Sequence, residues 1–343
     1  MPLYAILSAL RRVALRDLGT FQSIKVNNFF LFVALLIWGA LVSGVEPKSA
    51  EPLLLLLGFI MMFPLSSDPL ARIPPQRLAL WPLSHGQALA LRLSSLAFSP
   101  LVWITVFLII RTASATVAVA FVSLAAAIQI AGAWSRRAAQ HSPHWNLLRY
   151  VPPVPGRLGG LIRKDARELL SVLDPYIALL LSAGGLAYRF LGDHPDPHAL
   201  PILSVLVALA LSTYGQSLFA LDADYGMMRY RLLPLHGWEI LLAKGIAFLA
   251  VLFVLVLPLS PGPGITFGLW ALAVGHYSSL NLQLPQHRWR FVGGRMLPVG
   301  LLQAVGGVAL GFAERDAGPL VLLATALAYA ASVFWFGRTW RLD

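Results

Sequence analysis

Long apolar runs separated by short basic segments constrain this chain more than any other feature. A helix needs roughly 20 mostly apolar residues to cross the hydrocarbon core of a bilayer. Ten runs approach or meet that length: Val26–Val45, Pro52–Ser66, Leu93–Ile110, Ser114–Trp134, Pro175–Phe190, Leu200–Ala220, Ile240–Leu259, Gly264–Ser278, Met296–Phe312 and Pro319–Phe336. The second is short and carries Pro64, so a re-entrant hairpin is the alternative reading there. Of the 343 residues, 58% are hydrophobic and 12% charged, whereas a soluble domain is about half apolar and about a quarter charged. The composition therefore predicts an all-α, polytopic integral membrane protein with about ten transmembrane helices.

The net charge of +11 would suit a nucleic-acid-binding protein if the basic residues shared one soluble face. They do not, being clustered between apolar runs, and this argues against nucleic acid as a partner. Cytoplasmic loops of membrane proteins collect Lys and Arg, which tests the span count. With the N-terminus inside and sides alternating, only Lys48, Arg111, Arg189 and Arg315 of the 26 basic residues fall outside. That asymmetry supports ten spans with both termini cytoplasmic. The first apolar stretch, Pro2–Leu10, precedes the arginines instead of following them, so no cleavable signal peptide is expected. Cysteine is absent, which removes disulfides, thiolate metal sites and Cys nucleophiles from consideration.

The segment Pro2–Leu18 has an apolar stripe at helical spacing, with Arg11, Arg12 and Arg16 mostly off it. Such a helix suits the membrane interface, where basic side chains meet anionic headgroups. The pattern recurs. At an offset of 152 positions, Arg11-Arg12 matches Arg163-Lys164, Arg77 matches Arg229, Pro82-Leu83 matches Pro234-Leu235, and Arg92 matches Lys244. Four spans per copy is an even number, so the copies share orientation, as in parallel-repeat transporters. The expected organisation is a first repeat over 1–134, a cytoplasmic linker over 135–157, a second repeat over 158–281, and two added spans over 282–343.

The most informative stretch is Leu221–Lys244, LDADYGMMRYRLLPLHGWEILLAK. Asp222 and Asp224 end one span and Gly226 permits a turn. Arg229 and Arg231 mark the cytoplasmic face, and their pairing with the aspartates is favoured over a carboxylate acid/base pair. Pro234 is placed to start a short helix lying across the membrane face, Glu239 follows, and Lys244 is expected to snorkel to the surface. This stretch resembles the ABC type-2 membrane permeases, the membrane subunits of ATP-binding-cassette exporters. The resemblance is carried by Leu221-Asp222, Gly226, Leu232–Leu235, Trp238–Leu242 and Lys244. It implies a coupling element at Pro234, Leu235, His236, Gly237, Trp238 and Glu239, with Arg229 beside it, and a first-copy counterpart at Pro82, Leu83, His85 and Gln87. It also implies amphipathic elbow helices at Pro2–Leu18 and Leu158–Leu173, carrying Arg11, Arg12 and Arg16, and Arg163, Lys164 and Arg167. The first copy departs from the pattern in having Gln87 where the second has Glu239, and the 4 + 6 arrangement departs from the usual six-span unit.

No phosphate-binding G-x-x-x-x-G-K-[ST] loop is present, nor a soluble stretch long enough for an ATPase domain. The resemblance thus implies a separate nucleotide-binding subunit carrying ATP and Mg, with no catalytic residue, metal or cofactor in this chain and a homodimer as one option. Ionisable residues are almost absent from span centres, where ion-coupled carriers need them; the buried polar content is Gln129, Gln216 and Gln303. The outer-loop set Asp193, His194, Asp196 and His198 reads as a proline-rich turn before a metal site. Gly307 and Gly311 form a helix-packing face, more readily internal than dimeric. Two other readings compete: a membrane-embedded enzyme acting on lipid-linked substrates, and a non-transporting membrane assembly subunit.

Overall fold

The computed structural model describes residues 6–12, 25–29, 32, 81, 83–97, 100–112, 114–139, 151–191, 198–222, 230, 232–281, 288 and 291–339. The expected span Pro52–Ser66 lies outside these, as does most of Val26–Val45. The regular structure of the described chain is helical, apart from one two-residue antiparallel pairing between β1 (Lys25–Val26) and β2 (Gly294–Arg295). Among the described residues three helices are long and apolar enough to cross a membrane: Ala199–Ser217, Gly237–Val256 and Pro319–Arg338. A bent pair, Gly159–Leu169 with Asp174–Leu191, brings the number to four if it is one span.

The chain divides into two compact units. The first, Met1–Ile24 with Val33–Trp145, contains α1 (residues 6–12), α2 (His85–Ala97), α3 (Pro100–Thr112) and α4 (Ala115–Ala139). Leu10 of α1 is buried with Leu91 of α2, flanked by Ile6, Leu7, Trp81 and Leu83. Val102 and Ile109 of α3 pack with Ala118, Phe121 and Ala125 of α4 at helical spacing. Helix α4 continues past Trp134 to Ala139, into what the sequence assigns to the linker.

The second unit, Lys25–Phe32 with Asn146–Asp343, contains α5 (Gly159–Leu169), α6 (Asp174–Leu191), α7 (Ala199–Ser212), α8 (Gly237–Val256), α9 (Pro261–Asn281), α10 (Leu301–Ala317) and α11 (Pro319–Thr339). Helix α9 is the centre of this bundle, touching α7, α8, α10 and α11. The packing of α9 and α7 on α10 explains the Gly307-x-x-x-Gly311 pattern. A Cβ at Gly307 would lie 2.8 Å from the Phe267 ring, and one at Gly311 would lie 2.8 Å from Val205. Both glycines serve contacts inside the unit, as the sequence favoured.

Helix α7 tightens into a 3-10 turn at Thr213–Ser217, and α10 is entered through a π turn at Met296–Gly300. Gln216 and Gln303 meet beside these two irregularities. Gln216 donates to Gln303 Oε1 at 2.8 Å, and Gln303 donates to the Ala271 carbonyl at 2.5 Å. The start of the first apolar run completes the cluster. Asn28 donates to Gln303 Oε1 at 2.7 Å and to Ser212 Oγ at 3.1 Å. Asn27 donates to Asp174 Oδ1 at 2.6 Å and to the Val292 carbonyl at 3.0 Å, while Val292 N–H donates to Asp174 Oδ2 at 2.9 Å. Buried amides matched in this way avoid the penalty of an unmade bond and fix the segment's register.

Candidate functional site

The loop following Tyr230 makes a turn, not the transverse helix expected from Pro234. Leu232–Leu235 are turn and bend residues, His236 is the extended cap, and the regular helix begins at Gly237. The local cause is a capping box. Glu239, in the first turn of α8, accepts from the His236 backbone N–H at 2.6 Å and contacts His236 Nδ1 at 3.2 Å. Pro234 therefore sits in the approach to the cap. Arg157 reaches in from the segment before α5, donating to the Pro234 carbonyl at 2.7 Å and pairing with Glu239 at 3.4 Å. Leu232 is 85% exposed, and Leu233 and Trp238 are each 41% exposed. Gly337 of α11 lies so close to the Trp238 backbone (2.5 Å from a Cβ placed there) that the tryptophan's main chain is held firmly while its side chain stays accessible.

Behind this turn lies an ion cluster. Lys244 is 1% exposed in its side chain, not snorkelled to the surface as the sequence suggested. Its ammonium donates to Asp165 Oδ1 at 2.9 Å and to Asp222 Oδ2 at 3.1 Å, lies 4.0 Å from Glu168, and sits over the rings of Phe219 and Tyr230. Lys164, one residue before Asp165, pairs with Asp222, with Glu168 at 3.0 Å and with the Tyr230 hydroxyl at 2.7 Å. Burial pushes the Asp222 carboxyl up, but Lys244 and Lys164 together outweigh it and hold the group below the usual carboxylate range. The aspartate is thus ionised at neutral pH and binds two cations from two different helices.

The sequence placed cytoplasmic cations around Asp222 but named Arg229 and Arg231 for the role. Those two residues lie outside the described residues; among the described residues the cations on Asp222 are Lys164 and Lys244. Nothing in local spacing signalled this, because Asp165, Glu168, Asp222 and Lys244 come from three separate segments. The pattern that does carry a signal is a pair of acids, Asp165 and Glu168, three apart on an otherwise basic amphipathic helix.

The first unit repeats part of this arrangement. Ser84 N–H donates to Gln87 Oε1 at 3.0 Å, and Gln87 N–H donates to Ser84 Oγ at 3.3 Å, forming a capping box at the start of α2. Ser84 and Gln87 precede His236 and Glu239 by the same 152 positions that align the basic landmarks. In both units the helix so capped carries an amphipathic helix on its first turns: α1 on α2, and α5 on α8. Among the described residues the ion cluster is found in the second unit. Its acids correspond to Val13, Arg16 and Leu70 in the first. Leu83 is half-buried, Arg11 and Arg12 are exposed, and Pro82, Arg16 and the side chain of His85 lie outside the described residues. Asp193, His194 and Asp196 also lie outside them, and His198 contacts Arg315.

The chain matches no family model, no curated protein and no solved structure.

Proposed function

We infer that the chain is the membrane subunit of an ATP-driven exporter, moved by a separate nucleotide-binding subunit that docks on the turn Leu232–Trp238. The supporting observation is the linkage between that turn and two helices. The turn is fastened to α8 through the Glu239 cap, and α8 is fastened to the amphipathic α5 through the pairing of Lys244 with Asp165. A push on exposed Leu232, Leu233 or Trp238 is therefore transmitted to both helices as one body. Buried ion pairs with several hydrogen bonds are stiff and positionally specific, which suits a part that transmits force.

The full architecture under this reading has ten spans in two parallel repeats, four plus six, with both termini cytoplasmic in a plasma membrane. The first-unit capping box at Ser84 and Gln87 supports the repeat, because local geometry recurs at the offset defined independently by loop charges. With Gln87 in place of a carboxylate and no acid at the positions aligned with Asp165, Glu168 and Asp222, the first turn is the weaker of the two handles. The exporter carries no ATP site of its own, so hydrolysis, Mg and nucleotide belong to the partner.

The test is co-purification. The full-length chain, solubilised from its native membrane in mild detergent, should bring down a subunit that hydrolyses ATP. The double variant Leu232→Ser with Trp238→Ala should lower recovery of that subunit several-fold while the chain itself remains folded. Recovery of no nucleotide-hydrolysing partner would favour the membrane-assembly reading.

A further inference from the structure

We propose that Asp165 and Glu168 of α5 share one bound proton at neutral pH, which makes the ion cluster between α5 and α8 electrically neutral. The cluster sets three carboxylates, Asp165, Glu168 and Asp222, against two ammonium groups, Lys164 and Lys244. With every group ionised, one negative charge would be left over. The site is closed to water, since the side chains of Asp165, Asp222 and Glu168 are only 2%, 5% and 8% exposed. A buried charge without a counter-charge is costly, and an acid in that position takes up a proton instead.

The oxygens show where the excess lies. Asp222 uses both of its own, on the two lysines and the Tyr230 hydroxyl. Asp165 accepts from Lys244 with Oδ1 at 2.9 Å, and Glu168 pairs with Lys164 through Oε1 at 3.0 Å. The remaining oxygens, Asp165 Oδ2 and Glu168 Oε2, are buried and accept no hydrogen bond. The two acids stand three residues apart on one helix face, and both lie within 4.0 Å of the Lys244 ammonium. A protonated carboxyl can donate as well as accept, so one proton turns two unmet acceptors into a donor and an acceptor. Lys164, Asp222, Tyr214, Tyr230 and Lys244 are the titratable groups facing this pair. Among the described residues only the two lysines form ion pairs with the three acids, and no set of three side chains is arranged to hold a metal ion. Asp222 is not the carrier, because both lysines stabilise its ionised form. Two like charges so close share a proton as a pair. Loss of that proton would return a buried negative charge to the joint between α5 and α8. The inference rests on the cluster alone and does not require the exporter reading.

The experiment is infrared difference spectroscopy on the full-length chain at neutral pH, in a detergent without carbonyl groups. A protonated carboxyl absorbs apart from a carboxylate and shifts in heavy water. Removing either acid leaves two acids facing two lysines. Asp165→Asn and Glu168→Gln should therefore each lose one protonated-carboxyl band while carboxylate absorption stays unchanged. Asp316→Asn, at an exposed position, should lose carboxylate absorption and keep the band. Variants that lose carboxylate absorption and no protonated band would overturn the proposal, as all three acids would then be ionised. A band that disappears in only one of the two variants would overturn the sharing. Folding is checked by the thermal midpoint. Should one variant fail to fold, the other decides; failure of both would also overturn the proposal, which makes each a neutral replacement in a neutral cluster.

Discussion

Lys244 of α8 and Asp165 of α5 face each other at 2.9 Å, both almost completely removed from solvent. The pair joins the helix that follows the exposed turn to the amphipathic helix before α6. Removing one partner of a buried pair leaves an uncompensated charge, which typically costs about 3–5 kcal/mol. Lys244→Met is therefore expected to lower the thermal midpoint markedly in detergent. Lys244→Met combined with Asp165→Asn and Asp222→Asn should recover much of the loss, because the neutral trio leaves fewer unpaired charges. A triple variant no more stable than Lys244→Met alone would show that the cluster acts through packing and not charge.

The two capping boxes make a smaller prediction. Loss of a cap costs about 0.5–2 kcal/mol, so Gln87→Ala and Glu239→Ala should each destabilise modestly. Glu239→Gln should do less harm, since an amide oxygen still accepts from the His236 N–H. Chemical denaturation of the three variants distinguishes capping from the Arg157 pairing, which only the carboxylate form makes.

Close packing of α10 on α9 gives a third. Overpacking a filled interface typically costs about 1–3 kcal/mol, and Gly307 faces the Phe267 ring at a distance no side chain fits. Gly307→Leu should lower the thermal midpoint by several degrees, while Gly160→Ala, in open space, should leave it nearly unchanged. Equal shifts in the two variants would count against the packing described.

Gln303 offers a fourth. Gln303→Leu withdraws the acceptor shared by Asn28 and Gln216 and the donor to Ala271, and each stranded buried group costs about 1–3 kcal/mol. Thermal unfolding should show a loss comparable to that of Lys244→Met. Deuterium exchange should rise in residues 25–29, which this cluster holds.

Helical architecture was legible in the sequence because long apolar runs have few other solutions in a membrane. The internal packing role of Gly307 and Gly311 was legible too, since small residues four apart make a groove whatever fills it. The Ser84–Gln87 cap was not read from the sequence, although it falls 152 positions before His236 and Glu239. Other parts were not readable. Lys244 read as a snorkelling lysine because nothing adjacent to it in sequence is acidic; its partners arrive from positions 165, 168 and 222 only after the chain folds. Pro234 read as a helix start, yet the competing cap at His236 and Glu239 places the helix two residues beyond Leu235. Asn27 and Asn28 drew no notice, since two amides at the start of an apolar run carry no periodicity.

The exporter reading turns on whether the Leu232–Trp238 turn meets a nucleotide-binding subunit. Because the chain contains no cysteine, Leu232→Cys introduces a single thiol at that turn without further engineering. Membranes bearing this variant would be treated with a bifunctional maleimide cross-linker, and the products resolved by mass. The account predicts one dominant adduct between the chain and an ATP-hydrolysing subunit, with protection from a membrane-impermeant maleimide added outside intact cells. Labelling from outside, or adducts that contain no nucleotide-hydrolysing protein, would contradict it.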